Sequence, residues 1–211
     1  MRLDASGADA PVTIIVLGGG LATRLPGKLA LPFDDVPMLA RVVNALTATG
    51  APCLLAANAP LTDDVGAHIT VPVVYDEHPG EGPLAALATA ASAVSTPFFF
   101  AVAGDMPGID AAFVARVIAA AEKAGWPDAT VPTRVDNSLE PLAALYKVGP
   151  WLAAARNALA AGRRNVTAAL DGLRTVHYRI VPEDEPALAN VNTPADYARL
   201  RHTICAHERR T

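Results

Sequence analysis

The sequence predicts an α/β fold in three layers, α/β/α, built on a mostly parallel sheet. Three observations predict it. Short apolar runs alternate with Ala- and Leu-rich helical stretches along almost the whole chain. The run Phe98–Ala103 is apolar at every position and Val12–Leu17 at all but Thr13, as suits strands covered on both faces. Several of these runs end in glycine or aspartate, where such folds place their ligands.

Taken in order, Val12–Leu17 (VTIIVL) is a buried strand that enters Gly18-Gly19-Gly20. A long loop follows to about residue 35, and Pro37 suits the first turn of a helix running to Thr49. Cys53–Ala57 is the second strand, a short helix follows Thr62, and Val71–Tyr75 is the third strand. Gly82-Pro83 opens an Ala/Leu helix over Pro83–Val94, and Phe98–Ala103 is a central strand. Asp110–Ala124 is a helix with an acidic N-cap and Gly125 as its stop. Ala129–Pro132 and Pro141–Lys147 are strand-like, the latter a return strand at an edge. Trp151–Ala161 is a helix ended by Gly162, Val176–Val181 is the last strand, and Pro194–Thr203 is a final helix with Thr193 as N-cap.

The 211 residues suit a single domain, with a core over about 12–203 and loose ends at 1–10 and 204–211. Hydrophobic residues make up 52% and aromatics only 5%, so the core is built mainly of Ala, Val and Leu. The net charge of −4 argues against a general nucleic-acid binder, and an anionic ligand must be held by local donors. Cys53 and Cys205 lie far apart and fit a reducing cytoplasm better than a disulfide scaffold. The start of the chain does not read as a signal peptide, and no stretch reaches the length of a membrane span. The five histidines have no metal-ligand spacing, and His202 and His207 read as solvated.

Three segments carry chemistry. Leu17 to Lys28 reads LGGGLATRLPGK. Gly18, Gly19 and Gly20 let the backbone approach a ligand and turn its amides toward it, while Arg24 and Lys28 supply cationic donors to phosphate oxygens. A tight turn with two solvated charges is the plainer alternative. The spacing is neither a P-loop nor a full dinucleotide fingerprint, because Thr23 stands where the third glycine would be. Second, Asp105 follows the apolar run Phe98–Ala103, where a carboxylate is a hard oxygen ligand suited to Mg2+ beside phosphates. It could equally start the turn before Pro107. Third, Asp76 follows a strand, and its two acceptor oxygens match the N1–H and amine of guanine, or it merely caps a turn.

These pieces, in order, resemble the molybdenum cofactor guanylyltransferases. They are the LGGG loop with Arg24 and Lys28, Ala57-Asn58, Glu81-Gly82-Pro83-Leu84-Ala85 and Gly104-Asp105-Met106-Pro107, then Glu140 to Tyr146, Ala161-Gly162-Arg163-Arg164 and Asn190-Val191-Asn192-Thr193-Pro194. The resemblance runs from about residue 12 to 200 and implies a nucleotide-diphospho-sugar-transferase-like fold with a Rossmann-like mixed sheet. It implies that Leu17, Gly18, Gly19, Gly20, Lys28, Asn58, Asp76 and Gly82 contact the nucleotide and that Asp105 binds magnesium. It places Arg163, Arg164, Asn190 and Asn192 on the pterin side.

The implied reaction is attack by the terminal phosphate of molybdopterin on the α-phosphorus of GTP, releasing pyrophosphate, with Arg24, Lys28 and Asp105 as the catalytic set. No general base is needed, since the attacking phosphate is already ionised. Molybdoenzyme-maturation proteins are the implied partners. Two departures, Pro26-Gly27 before Lys28 and Gly18 where alanine is usual, leave a cytidylyltransferase of the same fold as the alternative. A nicotinamide-dependent oxidoreductase would need an acid at the end of the second strand, where Ala56-Ala57-Asn58 offers none. A non-catalytic nucleotide-binding module stands as the third reading.

Overall fold

In the computed structural model, which describes residues 12–19, 25–77 and 79–208 with side chains through residue 205, β1 (Val12–Leu17) runs between two parallel neighbours. These are β4 (Cys53–Ala57) and β6 (Phe98–Ala103). β5 (Val73–Tyr75) adds in parallel to β4 and forms one edge. Beyond β6 lie β8 (Ala143–Lys147), β7 (Ala129–Thr133) and β9 (Thr175–Arg179), giving the order β5-β4-β1-β6-β8-β7-β9. The sheet is therefore mixed and mostly parallel, as expected. The return strand is not at an edge, however. β8 is antiparallel to both β6 and β7, pairing along its whole length with β6 and through Leu145 and Tyr146 with β7.

The central strands β1 and β6 are almost wholly apolar because each face meets a helical layer. Ile14 and Val16 of β1, with Phe98, Phe100 and Val102 of β6, pack toward one side. There they meet α1 (Met38–Thr47), the single turn α2 (Asp63–Gly66) and α4 (Ala111–Lys123). Ile15, Leu17, Phe99 and Ala101 pack toward α3 (Pro83–Ser92) and α5 (Val148–Ala160) on the other side. Fully burying a side chain of this kind contributes about 2 kcal/mol, so both layers hold the sheet. Three of the few aromatics cluster under α5, where Phe99, Tyr146 and Trp151 meet with ring centroids 5.1 to 5.6 Å apart.

Punctuation follows the sequence closely where one residue decides it. The Asp110 carboxylate accepts from the Phe113 amide at 2.7 Å and starts α4, and Gly125 ends it at φ +71°. Thr193 and Asp196 cap each other, the hydroxyl accepting from the Asp196 amide at 3.1 Å and the carboxylate from the Thr193 amide at 2.9 Å. The boundaries differ in several places: β5 starts at Val73, β8 at Ala143, and the last strand is Thr175–Arg179. Pro37 precedes α1, in a short ribbon of β2 (Pro32–Phe33) and β3 (Val36–Pro37). Its turn sets Asp34 at φ +51°. The 3-10 turn Lys28–Ala30 also interrupts the expected loop, and α5 begins at Val148. The final helix, α6 (Pro194–Glu208), runs past the expected end, because Leu200 and Cys205 are buried rather than loose. Phe33, Met38, Val191 and Leu200 form a third, smaller core that joins the ribbon to α6.

No helix among the described residues is long and apolar enough to cross a membrane.

Candidate active site

The carboxyl ends of β1, β4, β5 and β6 lie side by side, and the segments leaving them form the floor of the candidate site. Gly18 and Gly19 are glycines for packing reasons visible in the backbone. A Cβ on Gly18 would lie 2.7 Å from Leu55 Cδ1 and 3.1 Å from Leu39 Cδ2. One on Gly19 would lie 2.9 Å from Asn58 Cγ and Oδ1. The end of β1 thus abuts the end of β4, which brings Leu17, Gly18, Gly19 and Asn58 together as expected. An alanine at Gly18 would oblige the ends of the Leu55 and Leu39 side chains to shift. Gly20 and Arg24 lie outside the described residues.

Gly104 repeats the theme at the end of β6, where a Cβ would lie 2.8 Å from the Leu17 carbonyl oxygen. The chain then turns, and Asp105 stands on that turn beside the next segment to arrive. Its own carbonyl oxygen accepts from the Val191 amide at 2.9 Å, and its Oδ2 is held by the Lys28 ammonium. The same ammonium donates to the Val191 carbonyl at 2.9 Å and to Asn192 Oδ1 at 3.2 Å. An ammonium has three N–H donors, and here all three have acceptors. Lys28 and Asp105 are mostly shielded, with side chains 14% and 18% exposed. The sequence-based expectation assigned Lys28 to phosphate alone. In the structure it is a cross-link from the first loop to the segment that carries Asn190 and Asn192.

A second meeting point lies at the start of α3. Gly82 sits at φ +90°, and a Cβ there would lie 3.1 Å from the Arg164 carbonyl oxygen. The Leu84 amide donates to that carbonyl at 3.3 Å. Arg164 also reaches the Leu159 carbonyl at 3.1 Å, and its guanidinium lies 3.9 Å from the Glu81 carboxylate. Arg163 is turned to Asp171 at 2.5 Å. β8 makes this meeting possible. Because it runs antiparallel, α5 travels back toward the carboxyl ends of the parallel strands and delivers Ala161–Asn165 to the edge where Gly82 lies. Asp76 leaves β5 with its amide bonded to the Ala57 carbonyl at 2.8 Å, and the Thr89 hydroxyl donates to its Oδ1 at 3.4 Å.

Several residues that shape the site carry no motif. Arg134 pairs with Glu140 at 2.5 Å and Glu185 at 2.6 Å, and donates to the Leu188 carbonyl at 3.3 Å. Burial works against its charge, but the two carboxylates outweigh it and raise its pKa. Asp184 is fully buried and accepts from Arg116, Tyr178 and the Val181 amide. Burial pushes the Tyr178 hydroxyl above its ordinary value, as does the Asp184 carboxylate it donates to, so it remains a donor. In sequence, Glu183-Asp184-Glu185 reads as a solvated acidic run, and only a long-range pairing with Arg116 distinguishes its middle member.

The described residues hold no group of three His, Cys, Asp or Glu side chains that could ligate a metal by themselves. Asp105 therefore offers its carboxylate outside any such cluster. That donor set fits a magnesium ion completing its shell with substrate phosphates and water, since magnesium usually takes only one or two protein carboxylates.

The description "MobA-like NTP transferase domain" belongs to a family model that matches residues 14–175. A probable molybdenum cofactor guanylyltransferase of Natronomonas pharaonis is 30% identical over 201 residues, spanning 91% of this chain and 98% of that protein. One of Mycobacterium marinum is 34% identical over 191 residues, 86% of this chain and 89% of its own length. Among solved structures, the molybdopterin-guanine dinucleotide biosynthesis protein A of Archaeoglobus fulgidus superposes with a TM-score of 0.77. It covers 92% of this chain and 99% of its own, at 22% identity, a likeness of fold. The family match begins in β1, takes in Lys28, Asn58, Asp76 and Asp105, and ends at the first residue of β9. With relatives of this identity along nearly its whole length, the chain belongs to the MobA-like NTP transferase family.

Proposed function

We propose that this enzyme transfers GMP from GTP to the terminal phosphate of molybdopterin and releases pyrophosphate. The observation that carries the reading is the convergence of Lys28, Asp105, Val191 and Asn192 at the carboxyl end of β6. It joins the expected nucleotide half of the site to the expected acceptor half through one ammonium. The names of the relatives, molybdenum cofactor guanylyltransferases, support the same reaction.

Phosphoryl transfers of this kind ask a protein mainly to position charged groups and to neutralise developing charge. Gly18, Gly19 and Asn58 bring backbone and a side-chain amide to the end of β1 for the nucleotide. Asp76, one oxygen of which already faces Thr89, is the acceptor for guanine. Gly82 and Arg164 form the wall between nucleotide and pterin, with Arg163, Asn190 and Asn192 on the pterin side. Arg24 joins Lys28 in neutralising the phosphates. Asp105 is the residue that holds magnesium, which supplies charge neutralisation on the phosphate oxygens when bound. Lys28 keeps its hold on Val191 and Asn192 and meets the phosphates through its charge. We place the enzyme in the cytoplasm, with molybdoenzyme-maturation proteins as recipients of its product.

The test is pyrophosphate release by the purified chain with molybdopterin and magnesium, run in parallel with GTP, CTP and ATP. Release with GTP alone supports the reading. Release with CTP alone would replace it by the cytidylyl reaction, and no release with any nucleotide would leave a nucleotide-binding module. Thermal stabilisation by each nucleotide gives an independent ranking of the three, because a ligand of the native state raises its stability by mass action.

A further inference from the structure

Residues 181–192 reach Asp105 along a path that is fixed at the far end. Asp184 is fully buried, and its carboxylate is taken up on both oxygens. Arg116 of α4 donates to Oδ1 at 2.8 Å, while the Tyr178 hydroxyl of β9 and the Val181 amide each donate to Oδ2 at 2.9 Å. The Asp184 carbonyl in turn accepts from the Ala187 amide at 3.0 Å and the Leu188 amide at 3.3 Å. Three residues further on, the Val191 amide is bonded to the Asp105 carbonyl, and the Val191 carbonyl to Lys28. The opposite wall leaves no slack: a Cβ on Gly108 would lie 2.2 Å from the Pro186 carbonyl oxygen.

We propose that Asp184 is the positioning residue of the acceptor half of the site. Anchored to α4 and β9, it sets the register in which residues 187–192 lie against Asp105, and so where Asn192 meets Lys28. A buried carboxylate of this kind is costly unless its lone pairs are used, and here that cost is offset by three donors, the Arg116 guanidinium, the Tyr178 hydroxyl and the Val181 amide. The acceptor part of this inference rests on the proposed function, whereas the register part rests on the hydrogen bonds alone.

Asp184→Asn tests it. The carboxamide keeps one acceptor oxygen and turns an NH2 toward groups that are themselves donors. Tyr178→Phe is the milder companion: it deletes a single hydrogen bond to Oδ2 and leaves Arg116 in place. Two readouts are taken on both variants, residue-resolved amide hydrogen exchange and steady-state kinetics with GTP and molybdopterin. A local opening of 187–192 should speed exchange at the Val191 amide by at least about tenfold in Asp184→Asn and less in Tyr178→Phe, with the amides of β1 and β6 unchanged. The KM for molybdopterin should rise by a similar factor while direct GTP binding stays within about twofold.

Exchange that rises equally across the sheet, or a molybdopterin KM that rises in parallel with an equal loss of GTP affinity, would show a merely structural role and overturn the proposal. So would an unchanged Val191 amide in both variants. Should Asp184→Asn not fold, Tyr178→Phe decides alone by the same criteria. Should the wild-type enzyme transfer nothing to molybdopterin, the proposed function falls, and the exchange at Val191 still upholds or overturns the register role.

Discussion

Replacing Lys28 by methionine removes the ammonium while keeping most of the side chain's length and apolar stem. In the structure that ammonium serves three acceptors: Asp105 Oδ2, the Val191 carbonyl and Asn192 Oδ1. A hydrogen bond to a charged group is worth about 1.5–3 kcal/mol, and losing one partner leaves the other without its counterpart. Counting only two of the three bonds at the low end gives about 3 kcal/mol, or roughly a hundredfold in kcat/KM. The three bonds share one atom and are not additive, so the figure sets the order of magnitude of the loss. The assay is pyrophosphate release at subsaturating GTP, with molybdopterin varied in a second series. If Lys28 served phosphate alone, only the GTP series would suffer. Because it also holds Val191 and Asn192, the molybdopterin KM should rise as well. A loss of less than about tenfold in kcat/KM would refute the reasoning, since it corresponds to no more than ~1.4 kcal/mol.

Asp105→Ala should lower turnover to below about a tenth of wild type while the protein still folds, because the residue stands on a turn beyond β6 and not in the core; turnover above that level would show that Asp105 is not the principal metal ligand. Asp76→Asn should weaken GTP by at least ~2 kcal/mol and leave CTP nearly unchanged, because a donor would then face guanine's donors; parallel losses for both nucleotides in a binding titration would remove Asp76 from base selection. The Cys53 thiol has its pKa raised by burial from 9.0 to about 11. A group with a raised folded pKa contributes stability that is complete below the unfolded value and is lost as pH rises toward the folded one. Thermal denaturation should therefore show a loss of stability between pH 9 and pH 11 that is smaller in Cys53→Ala, and identical profiles for the two proteins would count against it.

Strands buried on both faces were the most legible part of the fold. Phe98–Ala103 could hardly be anything but central, since no side of it tolerates water. The position of Ala143–Lys147 was not legible. Its exposed Lys147 and small alanines read as an edge, whereas its place between β6 and β7 is decided by partners such as Phe99 and Ala129 that sit opposite Tyr146. The same division holds in the site. Glycines after strands and an aspartate after an apolar run announce themselves locally. Lys28 was identified as a site cation from its loop, but two of its acceptors come from residues 163 and 164 positions away. Asp184 was missed because nothing in Glu183-Asp184-Glu185 marks one acid as buried. Its burial is a property of Arg116 and Tyr178.

The small core formed by Phe33, Met38, Val191 and Leu200 has a consequence for synthesis on the ribosome. Chain growth is vectorial, and β1, β4 and β6 can assemble with α1 to α4 once roughly the first half has emerged. The ribbon that follows Lys28 cannot settle then. Phe33 waits for Tyr197, whose ring meets it edge-on at 5.4 Å and whose hydroxyl donates to the Pro32 carbonyl at 2.5 Å. Lys28 waits for Val191 and Asn192. A nascent chain stopped short of residue 190 should therefore own a sheet yet lack the tether across its ligand edge. The competence to bind both substrates would arrive only once residues 190–197 have emerged, as that segment closes over a loop made more than 150 residues earlier.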